Sequence, residues 1–179
     1  MAIRVTVVSD SHLSDRNPDA SRHWDSVVEH LAADPPDLVV WLEAELPPDS
    51  GPVILVLHKP VVPVPADRRP NPRRYVPEPA RARLLRLLSA AADRPVVVSG
   101  HVHEYLQHER DGIVHVWAPA TWATLPDRIQ PPVGAKVIGV VALTLHDDGR
   151  HEVELHHPGG RREAMLGVDV DDPYARLHA

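Results

Sequence analysis

The chain has no cysteine and no phenylalanine, and aromatic residues make up only 4% of it. Without thiols there are no disulfides and no thiolate metal sites, so any metal must be held by histidine, aspartate or glutamate. Without Phe, the core has to be assembled from Val, Leu, Ile and Ala. Positive charge is also scarce. Nineteen Lys and Arg against 25 Asp and Glu leave a formal charge of −6 and a pI of about 6.1, so no broad positive field favours nucleic acid or an anionic membrane. No apolar run approaches the roughly 18 residues of a membrane span. The opening "MAIRVTVVSD" lacks a charged region backed by an apolar one, as a secretory signal would have. We therefore expect a cytoplasmic protein with no nucleic-acid partner and no membrane association.

What remains is ordinary for a globular domain: 43% hydrophobic and 25% charged residues in 179 positions, enough for one domain with a real core. We assign residues 1–157 to that domain. Residues 158–179, rich in Gly, Arg and Asp, form a loosely attached tail.

Along the chain, "IRVTVVS" at 3–9 reads as a strand, and "DASRHWDSVVEHLAAD" as a helix with Trp24, Val27, Val28 and Leu31 on one face. "PPDLVV" at 35–40 is a second strand, "WLEAEL" a short helical piece, and "VILVLH" at 53–58 a third strand. This βαβαβ rhythm implies a parallel sheet. Residues 60–79 form a proline-rich loop whose Arg68, Arg69, Arg73 and Arg74 read as a solvated charge run. They are also placed to meet a phosphate ester if the loop folds over the site. "PARARLLRLLSAAAD" is an amphipathic helix with Leu84, Leu85, Leu87 and Leu88 inward, and "RPVVVSG" is the fourth strand. Two hairpins follow, turning at Asp111-Gly112 and around Asp148-Gly149.

Chemistry gathers at three strand ends: "SDSH" with Asp10 and His12, "LHKP" with His58, and "SGHVHEY" with His101 and His103. In a parallel sheet all carboxyl ends share one edge, where ligands bind in open α/β folds. Residues i and i+2 leaving a strand point to one side. We therefore expect these five side chains to converge on one crest. A mixed carboxylate and imidazole set suits Mn, Fe, Zn or Co better than Ca or Mg. A single histidine at a strand end is ordinarily polar punctuation, and the remaining histidines are read that way. His23 and His30 sit on a surface helix, His108 and His115 in or beside the first hairpin, His146, His151, His156 and His157 around the second, where they could bind adventitious metal, and His178 in the tail.

"VVSDSH", "LHKP" and "SGHVHEY", in that order, resemble the DxH, HxP and GHxH blocks of the calcineurin-like metallophosphoesterases, over roughly residues 3–145. The nearest branch is that of the bacterial class III cyclic-nucleotide phosphodiesterases. The resemblance implies an α/β fold of the αββα sandwich type, with one mixed sheet that has a parallel core. The other sheet would be mainly antiparallel and built from the hairpins after residue 104. It implies two divalent metals about 3.5–4 Å apart acting on a small phosphate ester substrate. By resemblance, Asp10, His12 and His103 hold the first metal, and His58 and His101 help to hold the second.

The family pattern also contains a GD block and a GNHD block, and this chain has neither. "PDLVV" ends at Val40 and "WLEAEL" starts at Trp41, as though an internal deletion joined the two. The fold is therefore expected to be a truncated sandwich, with the first metal site keeping most of its ligands and the second weak. No catalytic residue is assigned. Glu43 and Glu45 lie within reach of the crest as substitutes for the bridging Asp, but read better as the exposed face of a short helix. The readings left open are an impaired hydrolase, an inactive metal-binding relative with an interaction or regulatory role, and a deletion product with no evolved function. Incomplete burial around the gap makes a homodimer a reasonable expectation.

Overall fold

The structure is a computed structural model that describes residues 3–7, 53–68, 70–91, 94–157 and 164–165. Among them are nine strands and one long helix. These are β1 (Ile3–Val7), β2 (Ile54–Leu57), α1 (Glu78–Ala91), β3 (Val96–Ser99), β4 (Leu106–Arg110) and β5 (Ile113–Trp117), followed by β6 (Ala123–Thr124), β7 (Val140–Leu145), β8 (His151–His156) and β9 (Ala164–Met165). The fold is mixed α/β without a barrel. The second strand, the first helix and the "WLEAEL" piece expected from sequence lie outside the described residues.

The central sheet runs β2-β3-β5-β4. β2 and β3 are parallel, as are β3 and β5, while β4 is antiparallel to β5. Every residue of β3 and β5 is buried, and period-2 alternation sorts their side chains onto two faces. Ile54, Val96, Val98, Val114 and Val116 pack with Val141 and Leu143 of β7. Val53, Leu55, Val97 and Ile113 pack with Leu88 of α1 and with Val61 and Val62 of the loop. A helix thus covers one face of the sheet and a second sheet, ordered β1-β7-β8 and wholly antiparallel, covers the other. The edge strand β4 carries Gln107, Glu109 and Arg110 exposed, and the charges of the last two discourage pairing with another chain. No helix among the described residues is long and apolar enough to cross a membrane.

Four sequence expectations are corrected here. First, β1 does not join the parallel sheet. It pairs antiparallel with β7, setting Ile3, Val5 and Val7 opposite Leu145, Leu143 and Val141. Its strict alternation with Arg4 and Thr6 is the pattern of a strand buried on one face, which suits an antiparallel sheet. Second, the first hairpin extends the parallel core instead of building the second sheet, because β5, apolar except for His115, is buried on both faces beside β3. Third, Leu87 is 50% exposed. At 3.6 residues per turn it lies about 100° round from Leu88, whereas Leu84 and Leu85 flank Leu88 and are partly buried with it.

Fourth, the proline-rich loop is not simply solvated. Val61, Val62, Val64 and Tyr75 are buried, and Asp67 Oδ2 accepts from Arg74 Nη1 at 2.8 Å and from Tyr75 Oη at 2.6 Å. Burial and the neighbouring Asp67 carboxylate push the Tyr75 phenol well above its usual range. Arg68 and Arg73 are exposed. Within the C-terminal segment, Ala164–Met165 pairs parallel with β6 and Ala164 is buried.

Both expected hairpins form. Asp111 and Gly112 have φ of 55° and 76°, the two positive values of a tight turn matched to strand twist. A Cβ at Gly112 meets nothing within 4 Å, so the cost of Gly112→Ala is conformational. We expect a loss of about 1 kcal/mol and a Tm lower by roughly 2–4 °C for a chain of this size. An unchanged Tm in thermal unfolding would contradict the turn assignment.

Candidate metal centre

The register pairs Leu57 with Ser99, so β2 and β3 end level and release His58 and Gly100 side by side. The ladder runs one step further, with Gly100 N donating to His58 O at 3.1 Å. Val102 N then donates to Gly100 O at 2.8 Å, closing a three-residue γ-turn centred on His101, whose φ is 70°. The positive-φ form of this turn is rare and strained. His103 is also left-handed, at φ 53°. The two histidines are therefore presented by a turn, not by strand alternation as expected from their spacing.

The turn brings His101 Nδ1 to 3.0 Å from His58 Nε2, with ring centroids 4.7 Å apart and planes at 66°. His58 is exposed and His101 half-buried, so the pair opens to solvent. Two nitrogens each about 2.0–2.1 Å from one ion would stand about 3.4 Å apart at a tetrahedral angle and about 3 Å apart at a right angle, so the pair's spacing suits octahedral better than tetrahedral coordination. The same spacing also suits one ring donating to the other, in which case an ion binds only after the shared proton moves to another ring nitrogen. His103 is 5% exposed, and its Nδ1 lies 2.9 Å from Ala123 O. A carbonyl can only accept, so Nδ1 carries the proton and the neutral ring's lone pair is on Nε2. That is the state in which histidines ligate metals, with the other nitrogen held by a carbonyl or carboxylate.

Of the five expected ligands, His58 and His101 are brought together, and His103 is buried two residues along the same turn. Asp10 and His12 lie outside the described residues. The idea of one crest shared by three parallel strands is corrected, because β1 belongs to the other sheet. Among the described residues no group of three or more His, Asp or Glu is arranged to hold an ion.

Sequence reasoning missed the groups behind the turn. Glu104 is buried at 1% exposure and accepts from Gln130 Nε2 at 2.9 Å, Val133 N at 3.0 Å and Gly134 N at 2.6 Å. A lone Glu after "GHVH" carries no pattern that marks it as buried. A second missed feature was countable: stepping back from the Asp111-Gly112 turn pairs His108 with His115. Their rings stack at 4.9 Å and 13°, and His115 is 2% exposed. Burial lowers the basicity of both, aided by the Arg110 charge, and takes His115 down to about 4.

No family model, no curated protein and no solved structure matches this chain.

Proposed function

We propose that the chain is a metal-dependent phosphoric ester hydrolase of the calcineurin-like kind, phosphodiesterase-like and impaired. In this reading the helix, the mixed sheet and the antiparallel sheet are layers of a truncated αββα sandwich. The observation that carries the proposal is the approach of His58 Nε2 and His101 Nδ1 to 3.0 Å at the carboxyl ends of two parallel strands. His103, with Nδ1 tied to Ala123 O, and Asp10 and His12 of the DxH block complete the proposed set.

A borderline divalent cation such as Mn, Fe or Zn held there supplies Lewis-acid polarisation of a phosphoryl oxygen and a water of lowered pKa. The chain's own contribution is to fix two imidazoles at one point of the surface and to hold a third in its Nδ1–H tautomer. It offers no counterpart of the GNHD histidine, and loss of such an acid–base group costs about 10²–10⁴-fold in rate. Slow turnover is therefore expected. The absence of the GD and GNHD blocks from the sequence also favours a second reading, a metal-binding relative without activity that serves an interaction or regulatory role.

Elemental analysis of the purified protein, followed by Mn-dependent hydrolysis of bis(p-nitrophenyl) phosphate, separates these readings. We expect close to one equivalent of Mn, Fe or Zn per chain. Turnover should exceed the metal-only background and fall to it in Asp10→Ala and His58→Ala. Metal without turnover selects the second reading, and neither metal nor turnover ends both.

A further inference from the structure

The His101–His103 turn is held from behind by one short loop, whose ties end on Val102 O between the two histidines and on Glu104 and Tyr105 just after them. Gln130 Nε2 donates to Val102 O, the carbonyl between the two histidines, and to Glu104 Oε1. Glu104 Oε2 accepts from the backbone of Val133 and Gly134. Tyr105 and Ala135 exchange a pair of backbone hydrogen bonds, both 2.8 Å. The approach is close: a Cβ on Gly134 would sit 2.5 Å from Tyr105 O. Lys136 Nζ anchors the loop in turn, donating to Leu125 O, Asp127 Oδ1 and Gln130 O at 2.6–2.7 Å.

We infer that Glu104 and Gln130 are positioning residues that hold His101 and His103 in their left-handed conformations and so fix the direction in which both imidazoles are presented. This rests on the metal-centre reading above. Two departures from favoured backbone geometry within three residues persist only where surrounding structure over-determines them, and these ties supply that constraint. The chemistry of Glu104 is specific. Both of its oxygens face donors, and a carboxylate accepts on both sides, whereas an amide would set its NH2 against either Gln130 Nε2 or the two backbone N–H groups. Glu104→Gln therefore preserves shape while cutting one arm of the clamp. Gln130→Leu keeps the carboxylate and removes the tie to Val102 O.

The test uses the full chain with two readouts. In the metal-free protein, ring 15N shifts report the His103 tautomer. In a Co2+ titration, the visible bands report affinity and ligand geometry. We expect wild type to show His103 as the Nδ1–H form, and Glu104→Gln to show a mixture of tautomers. Its Co2+ affinity should fall about 10–100-fold, as for other groups that orient metal ligands, with altered band intensities and a Tm within a few degrees of wild type. Gln130→Leu should behave alike. Wild-type affinity, spectrum and tautomer in both variants would overturn the inference. So would unfolding of both, which would assign the pair to global stability. If wild type takes up no Co2+, the metal reading falls, and the tautomer measurement still decides the positioning role by itself.

Discussion

Between pH 6.5 and about 4 the folded protein is expected to lose on the order of 3 kcal/mol through His115 alone. His115 is 2% exposed and lies stacked on His108, and the Nε2 atoms of both rings are buried with no hydrogen-bond partner among the described residues. Taking an imidazolium out of water without a partner is costly, and a second cation stacked 4.9 Å away adds repulsion. Burial is the largest cause of the lowered value. His108 and Arg110 push in the same direction, and Asp111 opposes them weakly.

The sign follows from proton counting. An unfolded chain protonates this histidine near pH 6.5, whereas the folded chain resists until about 4. Between those values the unfolded state binds more protons, so stability rises with pH. The contribution is complete above about 6.5 and is lost as pH falls toward 4. His108 and His151, both lowered first by burial, act with the same sign. Urea unfolding of wild type and His115→Phe at several pH values across this window checks the claim. Phe keeps a flat ring against His108 but cannot titrate, so its unfolding free energy should fall much less on acidification. Parallel pH profiles for the two proteins would refute the assignment.

How far the sequence could be read depended on whether a feature was local. Asp111-Gly112 and Asp148-Gly149 mark turns whose backbone demands are met within a few residues, and both hairpins form where they were expected. β2, α1 and β3 follow from short apolar runs and helical spacing in the same way. Which sheet a strand joins is not local. The βαβαβ rhythm puts β1 in the parallel sheet, while its alternation of Ile3, Val5 and Val7 with Arg4 and Thr6 matches a strand covered on one face, the antiparallel place the fold gives it. The site divides along the same line. "LHKP" and "SGHVHEY" mark the histidines, and the parallel register of β2 and β3 makes His58 and His101 neighbours. The γ-turn and the Glu104–Gln130 clamp depend on a loop 26 residues further on, which no local pattern announces.

Replacing His101 is expected to abolish the proposed metal binding while leaving the metal-free fold intact, and the choice of replacement separates strain from chemistry. His101 sits at φ 70° in the middle of a γ-turn, a conformation costing an L-residue about 1–2 kcal/mol that Gly does not bear. In exchange, the position sets Nδ1 3.0 Å from His58 Nε2. His101→Ala keeps the strain and discards the imidazole. His101→Gly discards both, and the greater freedom of Gly in the unfolded chain returns about 0.4–1 kcal/mol of the relief. The metal-free Gly variant should therefore be more stable than the Ala variant by about 1 kcal/mol and at least as stable as wild type. Both variants should bind Mn or Co about a hundredfold or more weaker than wild type, a loss at least as large as that caused by disturbing a group that only orients a ligand. Chemical denaturation with chelator present, alongside metal titration of the same samples, measures the two quantities independently. If the variants bind metal like wild type, His101 is not a ligand. If Ala and Gly are equally stable, the left-handed turn carries no strain, and the case that a functional demand maintains it is lost.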